Sequence, residues 1–276
     1  MMAGSGSTQY VFTSINAPGA SDTEAFGINN ADLVTGFYVI NGFGHGFWWL
    51  NGTLHAVQHS NDPDENTLLG HANDLGLIAG NYGAPTVQHA AIYSIVGNKW
   101  TTLPDVPGKP INIGNGLNFW GFAVGAAGTG TVAGSSDAVG WIWDGKQYSF
   151  FSAPGAALAG TEPVGINALG LISGYFQDAS QSFHGFLKAG SKFTNIDVPG
   201  ATDTFALGIN NFADQAGYYF GQDGNIHGFV LHAGVFTTVD VPGASITLVT
   251  DINDGGDLSG LTIDDSGTHA FLAHRH

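Results

Sequence analysis

The chain has no cysteine, which excludes disulfides, zinc–thiolate sites and thiol nucleophiles. It is also poor in charge, and above all in positive charge. Six basic residues (Lys99, Lys109, Lys146, Lys188, Lys192 and Arg275) face 22 acidic ones, for a formal net charge of −16. A nucleic-acid binder needs cations that displace counterions from phosphates. This surface repels polyanions and anionic membranes alike, so no nucleic-acid partner is expected. No apolar run approaches the roughly 18 residues of a membrane-spanning helix, and no membrane insertion is expected. Sustained helical periodicity is missing too. There is no Gly-x-Ser-x-Gly elbow, and no phosphate loop or dinucleotide fingerprint in its proper setting. Gly-x-Gly runs such as Gly114-Asn115-Gly116 lie in strand or turn contexts.

What is present is repetition. The stretch Phe193 to Val235 begins again as FTTVDVPGA at residue 236, a period of about 44 residues that marks a repeat architecture. Six copies align on three positions. An asparagine recurs as Asn29, Asn73, Asn118, Asn167, Asn210 and Asn253. A glycine follows as Gly36, Gly80, Gly125, Gly174, Gly217 and Gly260. A proline closes each unit: Pro18, Pro63, Pro107, Pro154, Pro199 and Pro242.

Each copy reads as four short strands, a to d, rich in β-branched and aromatic residues and separated by Asn/Gly/Asp turns. The expected fold is all-β, a six-bladed β-propeller with four antiparallel strands per blade. The recurring Asn is expected at the left-handed position of the a–b turn, and the Pro outside the ladder, in the crossing between blades. Residues 1–9 read as an added leader and 10–276 as one propeller domain. Its blades fall at about 20–62, 63–106, 107–153, 154–198, 199–241 and 242–276. The last copy stops before strand d, whereas residues 10–19 are a strand d with nothing before it. Pairing the two ends would complete the blade and remove a free edge. Blades two and three are the least regular, with the polar crossing 60–66 and an extended loop at 126–138.

Strand c carries His45-Gly46-Phe47, His89-Ala90-Ala91, His184-Gly185-Phe186, His227-Gly228-Phe229 and His269-Ala270-Phe271. With the Asp-Val-Pro-Gly-Ala and Gly-Ile-Asn-Asn runs, the chain resembles the bacterial extracellular HAF repeat family over essentially everything after residue 10. The resemblance implies an exported bacterial protein, extracellular or periplasmic. It brings no catalytic residues with it. The third copy departs from the pattern, with Val139 where the others have His.

The strand-c histidines could form a metal ring, but strand c lies third from the axis, too far out for the rings to meet. The stronger reading is a staple in each blade, to crossing-loop groups such as Asp105, Asp197 or Asp240. Departures from the repeat are more informative. Just before the Ile-Asn pair or its equivalent, four copies have Gly27, Gly116, Gly165 and Gly208, whereas two have His71 and Asp251. Three residues earlier stand Glu24 and Glu162, where the others have Leu68, Ile113, Phe205 and Leu248. Glu24, Glu162, His71 and Asp251 are therefore candidate catalytic residues at a tunnel mouth, for acid–base work or cation binding. The bland alternative is a solvated tunnel that tolerates polar groups. A carboxylate in such a desolvated channel is expected to have a raised pKa.

The run Asp251 to Asp257 partly matches a calcium loop but lacks ligands at its fifth and twelfth positions, so a turn is the better reading. No cofactor is implied, and a divalent metal stays open. Trp120, Trp141 and Trp143 are candidate ligand-binding aromatics, set against the reading that one of each adjacent or alternating pair fills the core. The leading functional expectation is an exported, non-enzymatic recognition or scaffold propeller binding a glycan or another neutral extracellular ligand on one face. The alternative is a hydrolase or lyase acting on a polysaccharide or small molecule. A deep pocket holding His71 and Asp251 in hydrogen-bond reach would favour the enzyme, and a shallow face with exposed Trp the binder.

Overall fold

The computed structural model describes residues 10–62, 66–130, 137–157 and 160–276. The expected leader, Pro63 and the middle of the 126–138 loop lie outside the described residues. Every regular element among the described residues is a strand.

The strand that comes first in the chain, β1 (Tyr10–Ile15), pairs with the last. Unit 1 is β2 (Asp22–Ile28), β3 (Val34–Ile40), β4 (Phe43–Leu50) and β5 (Thr53–Val57). Unit 2 is β6 (Leu68–Ala72), β7 (Leu77–Ala84), β8 (Val87–Ser94) and β9 (Lys99–Thr102). Unit 3 is β10 (Ile111–Leu117), β11 (Ala123–Gly128), β12 (Val139–Trp143) and β13 (Tyr148–Phe151). Unit 4 is β14 (Thr161–Ile166), β15 (Ile172–Gln177), β16 (Phe183–Ala189) and β17 (Lys192–Ile196). Unit 5 is β18 (Thr204–Ile209), β19 (Gln215–Phe220), β20 (Ile226–His232) and β21 (Val235–Val239). Unit 6 is β22 (Thr247–Ile252), β23 (Leu258–Asp264) and β24 (Gly267–Arg275).

Within each unit the strands pair antiparallel in chain order, and β1 runs antiparallel to β24 from Tyr10↔Arg275 to Ile15↔Ala270. Units 4 and 5 are separate four-stranded sheets. Units 1 and 6 merge into an eight-stranded sheet through one parallel bridge, Asp22↔Thr268, and units 2 and 3 through another, Ile111↔Gln88. Several hairpins turn on the pairs that favour two consecutive positive φ values. At Asn41-Gly42 they are 53° and 84°, and at Asn51-Gly52 they are 49° and 82°.

The core lies between the sheets. The Phe of four strand-c motifs (Phe47, Phe186, Phe229 and Phe271) is buried against the neighbouring unit. Trp141 takes that place in unit 3 and packs on Ala79, Ala90 and Leu103 of unit 2.

The glycine series on the second strands has a close-approach reason. A Cβ at Gly36, Gly80, Gly125, Gly174, Gly217 or Gly260 would run into the carbonyl oxygen of Glu24, Leu68, Ile113, Glu162, Phe205 or Leu248. Those six carbonyls belong to one position on the first strand of each unit, so the glycines hold first and second strands in a common register. Two residues further along, the first strand of every unit shifts register through a bulge. Bulges re-aim the side chains beside them, and this one sets the site.

Candidate functional site

The first strands line two cavities, one at each end. The smaller, about 80 Å³, lies at the a–b turns among the recurring asparagines. Their side chains form a relay. Asn29 donates to the Asn73 carbonyl, Asn73 to Asn118, Asn118 to Asn167, Asn167 to Asn210, Asn210 to Asn253, and Asn253 to Asn29, at 2.9–3.3 Å. In five of the six, Oδ1 also accepts from the N–H groups two and four residues on, as Ala31 and Leu33 do at Asn29. This corrects the expectation of a left-handed asparagine. The positive φ sits three residues later, at Asp32, Gly76, Gly121, Gly170, Ala213 and Gly256. The asparagine recurs for its side chain, which fastens its own turn and the next unit together.

The larger cavity, about 410 Å³, opens at the other end. Glu24, Leu68, Ile113, Glu162 and Leu248 line it, and so do the bulge residues Phe26, Asn115, Val164, Leu207 and Thr250. Two carboxyl groups thus stand in units 1 and 4 of a mainly apolar wall. Glu162 accepts from Asn115 Nδ2 at 3.4 Å and from the Tyr175 hydroxyl, its register partner on β15. Glu24 has no hydrogen-bond partner among the described residues; Asp22 is its charged neighbour. Desolvation pushes both carboxyl groups up to about 7, and the Asp22 charge adds to the rise at Glu24. Burial and the Glu162 charge also raise Tyr175 and Tyr218, so both stay neutral donors. Tyr218 is stacked on Phe205 at 4.6 Å.

His71 and Asp251 meet between the cavities. Beyond the bulge, the next position points at the neighbouring unit. A Cβ on Gly27 would stand 2.6 Å from the His71 Cα, and one on Gly208 2.5 Å from the Asp251 Cα. His71 (unit 2) and Asp251 (unit 6) reach each other past Gly27 of unit 1, with Nδ1 3.2 Å from Oδ2. Asp251 also accepts from the backbone N–H of Ile28 and Ile252. Burial raises its pKa, against the pull of His71 and those two donors. His71 lines both cavities, whereas Asp251 lines only the smaller. The four residues singled out by sequence are therefore placed together, three of them on one cavity wall.

The aromatics behave differently. Trp141 is fully buried and has no surface to offer a ligand, which corrects its place among the binding candidates. Its position explains why: Val139-Gly140-Trp141 aligns with His-Gly-Phe. Trp143 is half-buried beside Tyr148, and Trp120 is exposed on its turn, edge-on to Phe119. None of the three lines the larger cavity.

The strand-c histidines are staples. His89 meets Asp105 at 2.7 Å, His184 meets Asp197 at 3.0 Å and His227 meets Asp240 at 2.8 Å, while His45 and His269 meet Gln58 and Asn16. For a metal, Asp32, Asp257 and His274 bring ligand atoms within 4.8 Å of one another. Their carboxylates already accept from Asn253 Nδ2 and, at Asp257, from the Arg275 N–H. The Asp251–Asp257 run is a turn whose first carboxylate is held by His71.

No family model matches the chain, and no curated protein matches it. Solved structures do. AofleA from Arthrobotrys oligospora is 14% identical with a TM-score of 0.59, over 98% of this chain and 90% of that one. A catalytically inactive virginiamycin B lyase from Staphylococcus aureus, with quinupristin, is 12% identical at 0.54, over 96% and 99%. The Aleuria aurantia lectin with Fucα1-6GlcNAc is 11% identical at 0.52, over 90% and 94%. At such identities the likeness is one of fold alone, and the fold is that of a β-propeller.

Proposed function

We propose that the protein is an exported six-bladed β-propeller of the HAF repeat kind, closed by β1 on β24, that recognises a small carbohydrate in the larger cavity. Six antiparallel groups of strands and an asparagine relay that returns to its start support the closed ring. One observation carries the binding reading: a cavity of about 410 Å³, within the size range of ligand sites, sets two carboxyl groups and two tyrosines into an apolar wall. Sugars ask for that mixture, hydrogen-bonding groups for the hydroxyls and an apolar surface for the ring faces. Lectins with fucosides are among the fold neighbours, although a propeller scaffold hosts many functions.

The test is calorimetric titration of the folded protein with mono- and disaccharides, fucosides included. Saturable binding that Glu162→Ala abolishes supports the proposal. Binding untouched by changes at Glu162 and Glu24 refutes the location.

A second reading, a hydrolase or lyase, is favoured by the His71–Asp251 contact at 3.2 Å. A carboxylate on Nδ1 fixes the imidazole so that its other nitrogen can take or give a proton. Product release from an oligosaccharide, lost in His71→Gln with binding retained, would establish it. Binding without turnover would leave recognition as the function.

A further inference from the structure

We propose that the ligand of the larger cavity carries a protonated amine, as an amino sugar does. The inference rests on the cavity being the binding site and narrows the ligand's chemistry. Three observations carry it. First, the charge inventory of the wall is one-sided. Glu24 and Glu162 line the cavity, and neither lysine nor arginine does. The one group there that could become cationic, His71, already has its Nδ1 on Asp251.

Second, the two carboxyl groups are poorly compensated by the protein. Glu162 has one long amide contact and one tyrosine hydroxyl. Glu24 has no hydrogen-bond partner among the described residues, and its nearest charged neighbour, Asp22, is of like sign. An ionised carboxylate taken out of water is costly unless paired, so the missing charge is one that the ligand would bring. Third, the wall between them suits a cation with an apolar body. Phe26, Tyr175 and Tyr218 line the cavity, and aromatic faces attract ammonium groups, more strongly once desolvated. The net charge of −16 adds long-range attraction for a cation.

The pH dependence gives the inference a sign. In the free protein both carboxyl groups titrate near 7, above their ordinary 4.5. A bound ammonium group lowers both values again, so binding near pH 7 releases protons. Affinity should therefore climb from pH 5.5 to 6.5, a range in which the ligand's amine stays protonated. The other groups facing these carboxyls are Asp22 at Glu24, Tyr175 and Tyr218 at Glu162, and the His71–Asp251 pair on the shared wall. The tyrosines stay neutral throughout this range. A neutral sugar behaves in the opposite way, because it gains hydrogen-bond donors when the acids are protonated.

The experiment compares the β1-4 disaccharide of glucosamine with its di-N-acetylated form, by calorimetry at pH 5.5 and 6.5. Each titration is run in two buffers of different ionisation enthalpy. The expected result at pH 6.5 is an affinity for the amine about tenfold higher, with proton release read from the buffer dependence. The preference shrinks at pH 5.5. Glu24→Gln and Glu162→Gln each reduce this preference, because they weaken binding of the amine more than that of the acetylated form. Proton release is measured on the unaltered protein, so the result does not depend on the variants folding. Equal or tighter binding of the acetylated form at both pH values overturns the inference and leaves carbohydrate recognition standing. Failure of both forms to bind overturns the inference. If the fucosides also fail, recognition falls with it.

Discussion

The two cavities are built from the same six first strands, yet they are opposites. At the turn end the repeat is strict: six asparagines each donate to the next one's carbonyl, and the cavity left is about 80 Å³. At the other end the repeat breaks down. Glu24 and Glu162 replace apolar residues, and the polar groups are left short of partners around about 410 Å³. Fully satisfied buried polar networks specify and rigidify a structure. Groups left unsatisfied by their own chain are available to something else. The identical positions tie neighbouring units together, and the deviant ones line the candidate site.

The comparison can be broken most severely at the pairing of the first strand with the last. Deleting residues 1–18 removes β1 and with it six residue pairs to β24, buried Ile15 and the Phe12–Phe271 edge contact. The melting temperature is expected to fall by roughly 10 °C or more, since a few kcal/mol shifts a domain of this size by that amount. An unchanged calorimetric melt would mean that the clasp is dispensable.

Next in size is a single link of the relay. Asn118→Ala loses the bond to the Asn167 carbonyl and strands the N–H groups of Trp120 and Phe122. A cost of about 2–4 kcal/mol in chemical denaturation is expected from groups left unpaired. Glu24→Gln at the open end should cost much less at the same pH. Equal losses at the two ends would erase the distinction.

Much of this arrangement was legible in the sequence because a repeat shows which positions are constrained and which are not. Strand order, the pairing of the ends and the four deviant residues all follow from aligning six copies. The reason for a constraint was less legible. The asparagine looked like a turn former, and only the closed relay shows that its side chain reaches the next unit. Trp141 stood both as a binding candidate and as one of a pair of which a member fills the core, and its place in the Phe column decides for the core. Tyr175 and Tyr218 escaped notice altogether, because strand register decides which second-strand residue faces the lumen. A signal existed: they follow Gly174 and Gly217 directly, at the position that also holds Asn81 and Leu261, both on the cavity wall. The bulge that turns His71 and Asp251 toward each other has no residue signature of its own.

A third test sharpens the comparison through pH. Glu24 and Glu162 titrate near 7 when folded and near 4.5 when unfolded, so between those values the folded state holds more protons. Stability then falls as pH rises through that window and levels off above it. The staples His184 and His227 have raised pKa values and push the same way. In the double variant Glu24→Gln/Glu162→Gln the slope of melting temperature between pH 4.5 and 7 should flatten, and the variant should match or exceed the parent at pH 8. A variant that retains the parent's full slope would show that these two acids are not the source.

The smallest effect belongs to a group at neither end. His227 lies on the outer part of unit 5, between Asp240 at 2.8 Å and Asp223 at 3.1 Å. Burial alone would lower its pKa, but the two carboxylates outweigh burial and raise it. A raised histidine contributes stability below its unfolded value near 6.5 and loses it as pH climbs through the folded one. Both carboxylates are substantially exposed, so screening keeps the contribution to about 1 kcal/mol or less. His227→Gln should therefore lower the melting temperature slightly at pH 6 and hardly at all at pH 9, with ligand affinity unchanged. A loss of affinity would place function on the outer strands, at a repeated His–Asp staple, and would break the division between repeated positions that tie the units together and deviant ones that line the proposed site.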